Sequence, residues 1–258
     1  MNKFLIIPQL SRISESLALA DEYGFGFEYN DFFLPNVLDD DELIEKLAAE
    51  YHSQKLPDYC TAHGDFFDVI LFSEDRLIRE ISRKRIIQSI ETAVKFGARA
   101  VVFHTNHNPA FIAKSYVDNW LYCNESFWAE TLMRYPNINI YMENMCDDSP
   151  YLLSELAARL KTYDNFGVCF DYAHAMIYGC NIEEWVNVLA PFVRHIHIND
   201  NDLMYDLHLA VGDGKIDWLQ FKSFYEEYFR ECTVLIETSS VENQRRSAEY
   251  LSKLGILS

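Results

Sequence analysis

Nowhere does the 258-residue chain hold the roughly 20 consecutive apolar residues that a membrane-spanning helix requires, which argues against a helical anchor in the bilayer. The opening segment MNKFLIIPQLSRISES also lacks the long apolar stretch and small-residue cleavage site of a secretory leader, since Pro8 breaks its apolar run. Six cysteines, at 60, 123, 146, 169, 180 and 232, form no CxxC pair and no closely spaced framework, so they read as reduced thiols of a cytoplasmic protein. Positive charge is scarce. The chain sets 22 Lys and Arg against 40 Asp and Glu, a net charge of −18 that repels polyanions and argues against extended nucleic acid as a partner. No linker rich in Pro, Gly or Ser, no low-complexity segment and no shift of composition interrupts the sequence, so residues 1–258 are read as one domain.

What is present is a core and a rhythm. Hydrophobic residues make up 49% of the chain, enough for a large core, and the length suits a single α/β barrel. Short apolar runs that suit strands fall at 3–7, 24–30, 58–63, 98–104, 138–143, 166–171, 194–198 and 233–237. Between and after them, helical periodicity marks 14–23, 41–51, 76–96, 114–135, 151–163, 182–189, 216–229 and 241–254. Buried parallel strands need helical crossovers, and eight such units close into a (β/α)8 TIM barrel. Gly24, Gly97 and Gly167 stand at or just before strands 2, 4 and 6, where a preceding helix is expected to turn back.

In this architecture chemistry gathers where the strands end. Strand 2 carries Glu28, and strands 3 to 8 end on His63, His104, Glu143, Asp171, His197 and Glu237. Seven of eight strands therefore bring a carboxylate or an imidazole to one rim, although charged residues are rare inside buried strands. The following loops add His174, three residues beyond Asp171 in DYAH, and Asp206 with His208 in DLH, whose spacing points both side chains one way if the segment is extended. Mixed imidazole and carboxylate donors without cysteine suit a divalent metal such as manganese, zinc, cobalt or magnesium. Glu143, Asp171, His197 and Glu237 form the proposed ligand set. His63, His104, His174, Asp206 and His208 are further ligands or substrate contacts. His195 lies two residues deeper than His197, and with Glu28 and Asp200 it is read as orienting the ligands from behind, with Asn199 and Asp200 also shaping the next loop.

The motifs TAHGDF, VVFHTN, IYMENM, CFDYAHA, HIHIND, DLHLAVGDGKIDW and LIETS, spread over residues 60 to 240, resemble the xylose isomerase-like TIM-barrel superfamily, which includes endonuclease IV and sugar isomerases and epimerases. The resemblance to the sugar epimerases implies one divalent ion held by Glu143, Asp171, His197 and Glu237. The resemblance to endonuclease IV implies up to three ions, with His63, His104, His174, Asp206 and His208 completing a zinc cluster.

Two activities follow as expectations. The first is an isomerase or epimerase of a sugar-like small molecule, in which Glu143 and Glu237 move a proton at a carbon beside a metal-polarised carbonyl. The second is a metal-cluster phosphoesterase of the endonuclease IV kind. A catalytically silent barrel that keeps its ion for structure or binds a small ligand is a third alternative. Acidic loops such as NDFFLPNVLDDDE and NDNDLMYD oppose a duplex and favour the first activity, with the 18 Phe and 16 Tyr serving as core, rim and sugar-stacking surfaces. An oligomer built on segments such as NDFFLPN or ESFWAE is compatible with this reading.

Overall fold

Alternation along each strand builds the barrel. The computed structural model describes residues 3–257 and contains eight parallel strands: β1 (Phe4–Ile6), β2 (Gly26–Tyr29), β3 (Cys60–His63), β4 (Ala100–His104), β5 (Asn139–Glu143), β6 (Phe166–Asp171), β7 (Val193–Ile198) and β8 (Thr233–Ile236). They pair in sequence order and β1 closes on β8, so the sheet has no free edge. One set of alternate side chains, including Ile6, Phe27, Val101, Phe103, Ile140, Met142, Val168, Phe170, Ile196 and Val234, joins the large core between barrel and helices. The opposite set points inward and forms two small clusters, Leu5 with Tyr59 and Leu235, and Ala100 with Val102, Tyr141 and Cys169.

The surrounding helices are α1 (Ile13–Tyr23), α2 (Pro35–Leu38), α3 (Asp41–His52), α4 (Arg76–Lys95), α5 (Lys114–Arg134), α6 (Tyr151–Leu160), α7 (Tyr172–Tyr178), α8 (Ile182–Leu189), α9 (Trp218–Phe224) and α10 (Val241–Lys253). Asp40, Asp75, Asn181, Asp217 and Ser240 cap α3, α4, α8, α9 and α10 by accepting from backbone N–H groups of the first turn. Because Asp217 is a cap, the helix expected over 216–229 starts two residues later. It runs into a wide π turn at Tyr225–Phe229 instead of continuing as a regular α-helix.

Two of the three singled-out glycines do as expected. Gly24 and Gly97 take φ of 70° and 76° and end α1 and α4. Gly167 does not; it lies inside β6, where a Cβ would stand 2.6 Å from Arg194 Cγ, so lack of a side chain rather than a turn explains it. Among the described residues no helix is long and apolar enough to cross a membrane, and all six cysteines are free.

Candidate metal centre

Strand register assembles the rim. His104 pairs with Glu143 across β4 and β5, and Asp171 pairs with His197 across β6 and β7. Glu237 follows directly on β8, its N–H donating to the Ile198 carbonyl at 2.8 Å. Glu143, Asp171 and His197 are completely buried, and Glu237 is nearly so.

Three groups of donors meet here. In the first, His63 Nε2 and His104 Nε2 stand 3.6 and 3.4 Å from Glu143 Oε2. In the second, His197 Nδ1 lies 3.3 Å from Glu143 Oε2 and 3.7 Å from Glu237 Oε1, and the ligand atoms of Glu143, Asp171 and His197 all fall within 4.8 Å of one another. In the third, Asp206 Oδ2 lies 2.9 Å from His208 Nε2 and 3.3 Å from His174 Nε2. Glu143, which stands 3.6 Å from His174 Nδ1 as well, links the groups. The structure thus brings together all nine residues singled out as ligands or contacts.

Backbone carbonyls decide which ring nitrogens face the centre. His63 Nδ1 is 2.9 Å from the Gly64 carbonyl, His174 Nδ1 is 2.9 Å from that of Asn144, and His208 Nδ1 is 3.0 Å from that of Glu237. A carbonyl only accepts, so each Nδ1 donates its proton there and each Nε2 is turned toward the donors described above.

These residues fit a divalent cation. Both oxygens of Glu143, Oδ2 of Asp171 and Nδ1 of His197 are buried without a hydrogen-bond partner, an expensive arrangement for four polar atoms at one spot unless an ion joins them. The donors are nitrogen and oxygen, which suits a borderline or hard ion. Without an ion, charges are redistributed. Burial, reinforced by Glu237 and Glu143, pushes the Asp171 carboxyl up to about 8. Burial alone would raise Glu143 too, but His197 and His104 hold it well below the usual carboxylate range. His208 is pushed up to about 10, because Glu237 and Asp206 outweigh the burial that opposes its charge. Burial, on the other hand, keeps His104 below an ordinary histidine.

Local structure corrects two expectations. His174 lies on the first turn of α7 and not in a loop. Asp171 Oδ1 accepts from its N–H at 2.6 Å, so one carboxylate caps the helix and presents its other oxygen to the centre. The Asp206–His208 segment is not extended: His208 takes φ of 47°, and a turn rather than strand alternation brings the two side chains together. Asp200 organises this loop. Its carboxylate accepts from the N–H groups of Asn201, Gly212 and Ile216 and from Trp218 Nε1, and its backbone bridges Leu209 in both directions.

Several residues escaped the sequence reading. Asn144 donates to the Asp171 carbonyl and accepts from the Asp171 N–H, pinning the ends of β5 and β6 together. Phe33 and Phe66 wall the mouth beside His63 and His104, with ring centroids of Phe66 and His104 4.5 Å apart, and Phe67 packs on Phe66 at 4.1 Å. Phe33 and Phe66 lie in NDFFLPN and TAHGDF, segments read for an interface and for the family resemblance without singling out either ring. His107 pairs with Asp147 at 3.5 Å.

Comparison with known proteins places the fold. Residues 17–254 match the family model described as xylose isomerase-like TIM barrel. MJ1311, an uncharacterized protein of Methanocaldococcus jannaschii, is 27% identical over 202 residues, covering 74% of this chain and 68% of that protein. TTHB071 of Thermus thermophilus, from a crystal soaked with zinc chloride, shares the fold at a TM-score of 0.78 with 24% identity over 98% of both chains. A D-tagatose 3-epimerase-like protein does so at 0.76 with 24% identity, over 99% of this chain and 98% of the other. Further structural neighbours include sugar epimerases and endonuclease IV. The chain belongs to the xylose isomerase-like TIM-barrel family.

Proposed function

We propose that the protein is a divalent-metal-dependent isomerase or epimerase of a neutral, sugar-like substrate. The observation that carries this reading is the composition of the mouth. Glu143 and Glu237 both approach His197 Nδ1, Phe33, Phe66 and Phe67 wall one flank, and among the described residues no Lys or Arg pairs with any of the nine rim residues. Carboxylates and aromatic faces bind polyols, whereas a phosphate or sulfate ester calls for cations. The sugar epimerases among the structural neighbours support the same substrate class.

Glu143, Asp171, His197 and Glu237 would hold the ion, which when bound polarises a substrate carbonyl and the neighbouring hydroxyl. Glu237, partly open to the mouth, takes a proton from the carbon beside that carbonyl. Glu143, completely buried, takes up a proton from solvent in each turnover and delivers it to the same carbon from the other face or to its neighbour, and Glu237 then releases the proton it took, giving an epimer or an isomer. Asn199 Nδ2 stands 3.4 Å from Glu237 Oε2 and steadies the base. The test is incubation with manganese and a panel of ketoses in deuterated water. Deuterium should appear on the carbon beside the carbonyl, and its absence from every sugar tested would overturn the reading.

A second reading, a metal-cluster phosphoesterase, is favoured by a different observation: the His63–His104 and His174–Asp206–His208 groups are complete and adjoin Glu143. Metal stoichiometry separates the two, one ion per chain supporting proton transfer and two or three supporting hydrolysis. The same proposal places the protein in the cytoplasm, where free thiols persist.

A further inference from the structure

Glu28 lies inside the barrel one layer below the mouth, completely buried, and its two oxygens have different surroundings. Oε2 accepts from Thr61 Oγ1 at 2.7 Å and from His195 Nε2 at 3.1 Å. His195 is held at its other end as well, with Nδ1 2.7 Å from Thr233 Oγ1. The Thr233 hydroxyl proton goes to His195 Nδ1 at 2.7 Å rather than to the Arg194 carbonyl at 3.4 Å, so a neutral His195 donates from Nε2 to Glu28, Oε2 accepts two hydrogen bonds and the Glu28 carboxylate carries no proton of its own.

Oε1 has no hydrogen-bond partner. His197 Nε2, equally without one, stands 3.2 Å away, within ion-pair distance but off the line that an N–H donor needs. A buried acceptor and a buried ring nitrogen facing each other are costly apart and complementary together, and a small turn of the ring joins them. Only a proton on Nε2 satisfies Oε1. The same proton assignment leaves the Nδ1 lone pair aimed at the point between Glu143 Oε2 and Glu237 Oε1.

We propose that Glu28 is the positioning residue of the centre: it keeps His197 protonated at Nε2 and so commits Nδ1 to the mouth. The chain Thr233–His195–Glu28–His197 runs from β8 through β7 and β2 back to β7, and orients one ligand from inside the barrel. A carboxylate behind a histidine also strengthens that ring as a donor.

Glu28→Gln makes a specific disturbance. Thr61 and His195 both donate to the Oε2 position, so the amide oxygen stays there and the NH2 turns toward His197. Nε2 must then accept, and the ring proton moves to Nδ1, where it blocks the mouth. The experiment is zinc titration of the full chain together with nitrogen NMR of labelled histidine, read in the zinc-loaded protein and in metal-free protein at alkaline pH. In the wild type His197 should carry its proton on Nε2 in both forms. In Glu28→Gln the proton should appear on Nδ1 in the metal-free form, with zinc affinity reduced about 10- to 100-fold. A residue that merely fills space would change the melting temperature without moving the proton. The proposal fails if Glu28→Gln keeps Nε2 protonated and binds zinc within about twofold of wild type. Should that variant not fold, the wild-type spectrum decides alone: a proton on Nδ1 at alkaline pH overturns the proposal. The affinity measurement rests on the reading of His197 as a ligand and the proton assignment does not. A wild type that binds no zinc would therefore sink the ligand reading while the spectrum still tests Glu28.

Discussion

His63 Nε2 and His104 Nε2 lie 3.1 Å apart, and both face Glu143 Oε2. The Gly64 carbonyl accepts from His63 Nδ1 and the Met145 thioether, 3.2 Å from His104 Nδ1, accepts from that ring, so a proton between the two Nε2 atoms makes one ring cationic; His63, which Glu143 raises above an ordinary histidine against the burial that opposes its charge, carries it while burial keeps His104 neutral. An ion at that point would replace the proton and engage all three donors. His104→Ala should therefore leave one tightly held ion at Glu143, Asp171, His197 and Glu237 while removing a second, if a second is bound. Elemental analysis of wild type and variant checks this. Loss of every ion from His104→Ala would show that the groups are one indivisible site.

Removing a central ligand should have a larger effect. His197→Ala and Asp171→Ala are each expected to weaken metal binding by about tenfold or more, since the remaining carboxylates lose both a donor and its geometry. Calorimetric titration measures it. Full occupancy in both variants would refute the assignment of the centre.

The metal-free protein should lose stability as pH rises from about 6 to 10. Asp171 titrates near 8 in the folded chain, above its ordinary value, and His208 near 10, also above its ordinary value. A group whose folded pKa is raised stabilises the fold at low pH, and that contribution fades as pH climbs through the folded pKa. Glu143 and Asp206 are shifted the other way, so their contributions are already complete at pH 6 and do not change in this window. Asp171→Asn, which keeps an oxygen to cap α7, should flatten part of the decline. Melting curves across this range, in the presence of chelator, would show the slope; a midpoint that rises with pH would contradict it.

Metal should offset that loss. An ion at 100 times its dissociation constant contributes about 2.7 kcal/mol to the folded state, roughly 5 °C or more in melting temperature for a chain of this size. Chelation with confirmed metal removal and no drop in melting temperature would mean that the folded protein gains nothing from the ion.

Glu237→Gln addresses the chemistry. The amide keeps an oxygen for the ion but cannot take a proton, so deuterium exchange should fall by about 10²- to 10⁴-fold with a much smaller effect on substrate binding. His63→Ala and His208→Ala should be milder. Equal damage from all three, with cleavage of a phosphodiester by the zinc-loaded protein, would favour the hydrolase.

The rim was legible because a TIM barrel converts sequence position into place: a His or Glu ending an apolar run can only arrive at one mouth. Strand limits came within two residues for the same reason. His195 and Glu28 were readable as support because alternation puts them on the inner face, one step below His197. Other features depend on contacts that no local pattern encodes. The short α7 hides in DYAHAMIY because its cap is also a rim carboxylate, and Gly167 looks like a turn glycine until Arg194 is seen beside it. The tautomers of His63, His174 and His208 are set by carbonyls at Gly64, Asn144 and Glu237, the last two far away in sequence.

The convergence of four donors on Asp200 affects how quickly the centre can fill. The loop from 200 to 218 surrenders its conformational entropy when the protein folds, so Asp206 and His208 are already in place when an ion arrives. Uptake should then be paced by the release of protons and water at the rings rather than by a closing loop, giving association rates that rise with pH and depend little on solvent viscosity.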